Sequence, residues 1–430
     1  MIVKSTFNHN LSIKHIVDFF FKIYRHDKIA ELFSFVFWEI KYLLGFYINN
    51  KIKLNQLPPQ IVLIDKTSIS SSFLEKVVIN WNIIFFDKNG CLYGTIKETP
   101  GNLYVFRDEV SILLFVLPQE IKGIYITDSG TLFVCAGGKV FRYSDNTLSC
   151  HPVFEFSTFE SIFLPNAFTE DKHGNLFVGE YVNLFNKKWH FAAYVYFSID
   201  DGKSWTRTDF LKKKGINKHI HVVKWSVLLG GLLLTDGDNK KKLWFGKFEW
   251  SQASKNFILS WKDISKRHVN MGGYTAVVEA DKQVVFGTDY NGGTNFLVST
   301  SNLLRFTRRV VPNPYRRSIF TNMVMTSQNS ATQIWALLHG EAGGKMKSLL
   351  MMSTDKGQSW NRIIEYDGRV FLIRILNNSR QIQNKLYISI EKSSFEGVVN
   401  NIRKSESKTS ASVNMQNVDY NIYTIDCFSP

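Results

Sequence analysis

Ser198-Ile199-Asp200-Asp201-Gly202-Lys203-Ser204-Trp205 and Ser353-Thr354-Asp355-Lys356-Gly357-Gln358-Ser359-Trp360 share one pattern, Ser-x-Asp-x-Gly-x-x-Trp. An apolar run precedes each copy (Tyr194 to Phe197; Leu349 to Met352), and polar residues follow. The reading is strand, turn, strand. The Asp accepts hydrogen bonds from backbone N–H groups of its own turn, and the Gly permits a positive φ. The Trp returns the chain to an apolar layer. A turn this particular, used twice, implies repeated supersecondary units. Ser299-Thr300-Ser301-Asn302-Leu303-Leu304-Arg305-Phe306 reads as a third, degenerate copy that keeps the first Ser and an aromatic but lacks the Asp and Gly.

The two full copies resemble the Asp-box, or BNR repeat, of the β-propeller family that includes sialidases. The resemblance implies that the box is structural and lies on the face away from an active site. Asp200 and Asp355 are then turn formers and not catalysts.

A second, looser repeat runs through the chain: an apolar strand, a turn of Asp, Asn and Gly, then an apolar strand anchored on Leu92, Leu132, Leu176, Leu232, Val284, Ile334 and Leu386. The anchors recur every 40 to 56 residues, the spacing of four-stranded propeller blades. The expected fold is therefore all-β, a β-propeller of six or seven four-stranded blades, with seven favoured by the count of anchors. Residues 1–58 read differently. Ile13 to Tyr24 and Ile29 to Ile48 have helical length and apolar faces, and Pro58-Pro59 closes this helical section before the propeller at 59–430. A propeller must close its ring or leave two sheet edges open. Ile61 to Asp65 and Asn421 to Asp426 are the candidates for the closing strand.

In each blade the start of strand one and the end of strand two meet on one rim, the upper one. The Ser-x-Asp turns, between strands three and four, lie on the lower. Strand-two ends supply Glu180 and Tyr181, Asp236 and Asp238, Asp289 and Tyr290, His339 and Glu341; a strand-one start supplies His219-Ile220-His221. Residues i and i+2 of a strand face the same side. These residue types suit a polar sugar-binding mouth, or a divalent metal ion on His219, His221 and Glu180. A third reading is that rims are loops, loops are polar, and a His-x-His pair can be structural.

Several chemistries stay open. Glu180 and Asp289, with Asp236 and His221, could act as glycosidase carboxylates and base, with Tyr181, His219, Asp236, Tyr290, His339 and Arg374 as substrate contacts. A polysaccharide lyase would use a His or Tyr base with a cation beside the uronate. A sialidase would need an arginine triad and, by the family resemblance, an early Arg-Ile-Pro motif; Arg107 and Arg374 are rim candidates, but the motif is missing. The alternative to all three is a non-catalytic scaffold for a glycan or a protein, the latter engaged through the N-terminal helical section.

The net charge of +15 points to an acidic partner such as an anionic glycan, or else reflects the Lys-rich composition of an AT-rich genome. No motif supports a nucleic-acid role. Four cysteines without CxxC spacing read as free thiols in a reducing compartment. The first residues lack a signal-peptide pattern. The stretch Ile29–Ile48 is broken by Glu31, Glu39 and Lys41, so no transmembrane span is expected, and interfacial membrane contact is the lesser reading. The expected compartment is the cytoplasm.

Overall fold

In a computed structural model, the described residues are 29–427 apart from 64–72, 108–109, 145–148, 187, 217, 237–240, 252–255, 266–272, 291, 329–330, 341–345, 378–384 and 393–419, together with 17, 20, 21 and 24. Most of the expected helix Ile13–Tyr24 lies outside them, as do Asp238 and Glu341. Seven sheets of the described chain, each built on four antiparallel strands, are arranged as the blades of one propeller, and Phe185–Asn186 pairs with Lys188–Trp189 as a separate two-stranded sheet. The innermost strands are Trp81–Phe86, Ile121–Ile126, Phe168–Glu170, Ile220–Ser226, Gly273–Ala280, Ile319–Gln328 and Phe371–Ile375. All seven anchors fall in second strands, which are largely buried in every blade. Leu132–Ala136, Leu176–Gly179 and Gly231–Asp236 are buried at every residue.

Ring closure differs from expectation. Tyr420–Asp426 is the third strand of blade seven, and the outermost strand comes from the other end of the chain: Glu75–Val77 pairs antiparallel with it, Lys76 opposite Tyr423. Ile61–Leu63 belongs instead to Lys53–Leu63, a fifth strand laid parallel against Ser359–Tyr366 of blade six. Pro58 and Pro59 sit inside that strand, at its register shift between Gln56 and Ile61. An added outer strand tolerates proline because its far side has no ladder to serve.

The Ser-x-Asp turns join strands three and four, as read from sequence. In the first, Asp200 accepts hydrogen bonds from the Lys203 and Ser204 N–H groups and from the Ser198 and Ser204 hydroxyls. Burial raises the Asp200 carboxyl, and these bonds outweigh it and hold it at about 2. Asp201 and Gly202 take positive φ. A Cβ on Gly202 would also lie 2.2 Å from the Phe133 ring of blade two, so glycine serves close packing as well as the turn. The turn reaches across to blade two: Thr131 donates to Asp201 at 3.0 Å, and Arg142 ion-pairs with it. In the degenerate copy the motif is shifted by one. Thr300 takes the place of the Ser, accepting from the Leu303 N–H, and Asn302 takes the place of the Asp, accepting from the Leu304 and Arg305 N–H groups.

The helix Ile29–Leu43 packs on the upper rim over blades four and five. Trp38 is its wedge, buried against Phe296 (ring centroids 5.2 Å) and stacked on Tyr47 (5.8 Å). Glu39 is pinned by Arg316 and Arg317, with Arg316 Nη2 at 2.9 Å and Arg317 Nη2 at 3.0 Å. Burial pushes the Glu39 carboxyl up, but hydrogen bonding and charge from Arg316, then Arg317, hold it below its ordinary value.

Removing one turn carboxylate tests the repeat. Asp355 accepts from the Ser353 hydroxyl and from both the N–H and the hydroxyl of Ser359. Asp355→Ala is expected to destabilise by about 1–3 kcal/mol in denaturant unfolding, and Asp355→Asn by less, since the amide oxygen still accepts.

Candidate functional site

The upper mouth of the channel is shaped by a repeated irregularity. In blades one, two, four, five and six the pairing of strands one and two slips at the second or third residue of strand one. Each slip is a β-bulge that releases one side chain from the sheet pattern, a device found beside functional sites. The released residues are Asn82, Lys122, His221, Thr275 and Thr321. All five lie near the start of strand one, Lys122 and Thr321 exposed, Asn82 and Thr275 half-buried, His221 buried, and the Thr275 and Thr321 hydroxyls donate to the Phe320 and Leu337 carbonyls. A bulge is a register event and leaves no residue-type signature, so of the five only His221 was found by reading sequence.

His219 and His221 do converge, but through this bulge and not by simple strand alternation, since His219 precedes the strand. Their Nε2 atoms are 3.1 Å apart, and His219 Nδ1 is 2.7 Å from the Val182 carbonyl oxygen. A carbonyl only accepts, so His219 Nδ1 carries a proton. In the neutral pair His219 Nε2 then accepts from the His221 Nε2–H. Tyr181 lies over both rings, 4.2 Å from His219 and 5.9 Å from His221 between centroids. Tyr181, tilted against the stacked imidazoles of His219 and His221, forms one aromatic group with them between blades three and four.

Glu180 does not join it. Its carboxylate serves the seam with blade two, accepting from the Ser157 N–H (2.9 Å), the Ser161 hydroxyl (2.6 Å), the Tyr196 hydroxyl (2.9 Å) and the Ser157 hydroxyl. Four donors saturate a fully buried carboxylate and explain its burial without chemistry. The proposed metal set thus loses its carboxylate, and no group of three or more His, Cys, Asp or Glu side chains suited to a metal converges among the described residues.

The remaining candidates are dispersed. Asp236 ends strand two of blade four, fully buried; its Oδ1 accepts from the Lys242 N–H, and its Oδ2 has no hydrogen-bond partner among the described residues. Burial pushes its carboxyl up to about 7. Tyr290, after Asp289 in blade five, is covered by the N-terminal helix, 6.5 Å from the Phe35 ring, with Lys241 above it at 5.2 Å. His339 Nδ1 is 3.2 Å from the Tyr366 hydroxyl of its own blade. Arg374 lies within strand one of blade seven opposite Ser389, exposed, 3.9 Å from Glu391. Asp289 and Asp236 each close strand two of neighbouring blades, and Asp289 is only half-buried.

The channel widens lower down into a cavity of about 220 Å³ lined by Glu170, Lys224, Trp225, Glu279, Asn322 and Asn377 among others. Sequence reasoning passed over this set because strand-one ends were not treated as channel positions. Its charges stitch blades together. Glu170 accepts from the Asp128 N–H, Glu279 from the Ser226 hydroxyl and Leu228 N–H, and Lys224 donates to the Val277 carbonyl.

No protein-family model matches the sequence, and no curated protein matches it. Solved structures with the same general architecture include a chain of a mitotic checkpoint complex (9% identity, TM-score 0.48, covering 86% of this chain and 99% of that one). The GH74 enzyme of Niastella koreensis aligns at 12% identity and TM-score 0.42, over 73% of this chain and 50% of its own. A gluconolactonase of Xanthomonas campestris aligns at 11% and 0.38, over 65% and 88%. Likeness at this level carries no argument about ligand or reaction.

Asp236 gives the site a pH signature. A carboxyl whose folded value is about 7, against about 4 unfolded, binds its proton more tightly in the folded state, so stability falls as pH rises through that window. Asp236→Asn keeps the Oδ1 acceptor and removes the buried charge. The variant is expected to be more stable than the parent by about 2–4 kcal/mol at about pH 8 and equal to it near about pH 4, read by urea unfolding at both.

Proposed function

We propose that the protein is a glycan-binding propeller that recognises its ligand at the upper mouth and does not cleave it. The observation that carries this is the set of bulge side chains, Asn82, Lys122, His221, Thr275 and Thr321, near the start of strand one in five blades. An amide, an ammonium, an imidazole and two hydroxyls offer mixed donors and acceptors, which is what a hydroxyl-rich ligand requires. Tyr181, half-buried beside the pair of imidazoles, adds an apolar face for a sugar ring. Lys122 and the overall charge of +15 favour an anionic glycan.

Binding is preferred to cleavage because of how the acids are engaged. Glycoside hydrolysis needs two carboxyl groups facing one bond across a defined gap. Glu180 is saturated toward blade two, and Asp236 is sealed behind the Lys242 backbone. In this reading the turns at Ser198–Trp205 and Ser353–Trp360 make the chain a divergent member of the Asp-box propellers, with the fold retained and the Arg-Ile-Pro motif absent.

A glycan array followed by calorimetry on the best anionic binder tests the proposal. Lys122→Ala and His221→Ala are each expected to weaken binding about tenfold, the cost of one good polar contact, while the melting temperature of Lys122→Ala stays at the parent's. Release of reducing ends from the bound glycan, abolished by Asp289→Asn, would replace recognition by hydrolysis. Unchanged affinity in both variants would remove the mouth as the site.

A further inference from the structure

The helix Ile29–Leu43 has two apolar faces, and among the described residues only one is packed against protein. Trp38 and Tyr42 pack on the propeller. On the opposite side Phe33, Val36, Phe37, Ile40, Leu43 and Leu44 are exposed, Leu43 by 80% and Phe33 by 71%. Their spacing of three and four residues makes a single stripe along the helix. Phe46 and Ile48, in the turn and short helix that follow, are also exposed and extend it. Scattered exposed apolar residues need no explanation, but a contiguous stripe of this size on a rigid element does.

We propose that this stripe lies on an anionic lipid surface, with the helix axis parallel to the membrane plane. The charges around it fit that occupant. Lys41 holds its ammonium 4.3 Å from the Phe37 ring and 6.0 Å from the Phe46 ring, so its stem runs among the apolar side chains while its charge sits at the border. This is the posture of a lysine that reaches from an apolar layer to headgroups. Lys51, 5.8 Å from the Tyr42 ring, and Arg317 border the same element. Glu39, which would repel an anionic surface, is drawn to the propeller side and neutralised by Arg316 and Arg317. A short helix with an apolar face flanked by cations binds in the interface through buried area plus attraction to anionic lipid. No described helix is long and apolar enough to cross the bilayer, so the contact is one of lying on the surface.

The test is co-sedimentation of the full chain with phosphatidylcholine vesicles, with and without phosphatidylserine, in low and high salt. Binding to the serine-containing vesicles is expected, with at least a ~5-fold loss in high salt or without the anionic lipid. The triple variant Phe33→Ser, Leu43→Ser, Leu44→Ser is expected to lose binding while keeping the parent's melting temperature. Lys41→Glu is expected to weaken binding to the anionic vesicles alone. Absence of sedimentation with either vesicle would overturn the proposal. So would a concentration-dependent dimer, seen by light scattering and abolished by the triple variant, since the stripe would then belong to a second copy. Glycan binding at the mouth is read separately and does not depend on either result.

Discussion

Everything in this fold depends on one strand pairing, Glu75–Val77 against Tyr420–Asp426. A ring of sheets has no edge only when its first and last blades are joined, and blade seven is assembled from both ends of the chain. The joint is made where blade seven meets blade one. Asn377 bridges Ile84, and Tyr420 donates its hydroxyl to the Trp81 carbonyl at 2.8 Å. Each inter-blade core is a pair of facing sheets, so without the joint two apolar faces would meet water instead of each other. The short closing strand carries little apolar surface of its own, and Lys385 reaches Glu75 from the neighbouring second strand at 2.9 Å. What it supplies is the hydrogen-bonded end of a circuit whose strength lies in the seven cores.

Closure also explains how much of the molecule could be read from sequence. The second strands are buried on both sides and recur in every blade, so Leu92 through Leu386 stood out as a count of seven. The Ser-x-Asp turns were legible because their chemistry is local: carboxylate, hydroxyls and glycine all lie within eight residues. The closing strand was not legible, because Glu75-Lys76-Val77 has no apolar pattern of its own and is a strand only by virtue of its partner hundreds of residues away. The bulges were hidden for the same reason. A slip in register depends on the facing strand, and Asn82, Thr275 and Thr321 look like ordinary polar residues at strand starts.

The candidate site shows where reading residue types stops being informative. Glu180 and Asp236 are both acids at strand-two ends, both fully buried. Glu180 has four donors around its carboxylate, whereas among the described residues Asp236 is met on one oxygen only, by the Lys242 N–H. The sequence places them alike and the environment sets them apart, since the cost of burying a carboxylate is decided by the donors that converge on it. The His219–His221 pair was found because two histidines two residues apart are rare enough to notice. Its geometry, with Val182 fixing one proton, comes from blade three and could not have been inferred.

The segment from Ile29 to Val77 links the parts. Its helix is clamped on the upper rim by Trp38 and Glu39, its first strand extends blade six, and its last closes blade seven. Three attachments on one rigid ring fix the outward direction of the helix. The helix and the set of bulge residues belong to the same rim, because the loops that hold the helix, around Thr294 and Arg316, leave the blades at the level where strand one begins. A surface that engaged the helical stripe would therefore meet the propeller from the side of its mouth. Lys122, Thr321 and Tyr181 would then open toward that surface and not away from it. The two proposals are independent in their chemistry, yet the geometry joins them. A glycan carried on a lipid headgroup would satisfy the mouth and the stripe together, whereas a free glycan would need only the first.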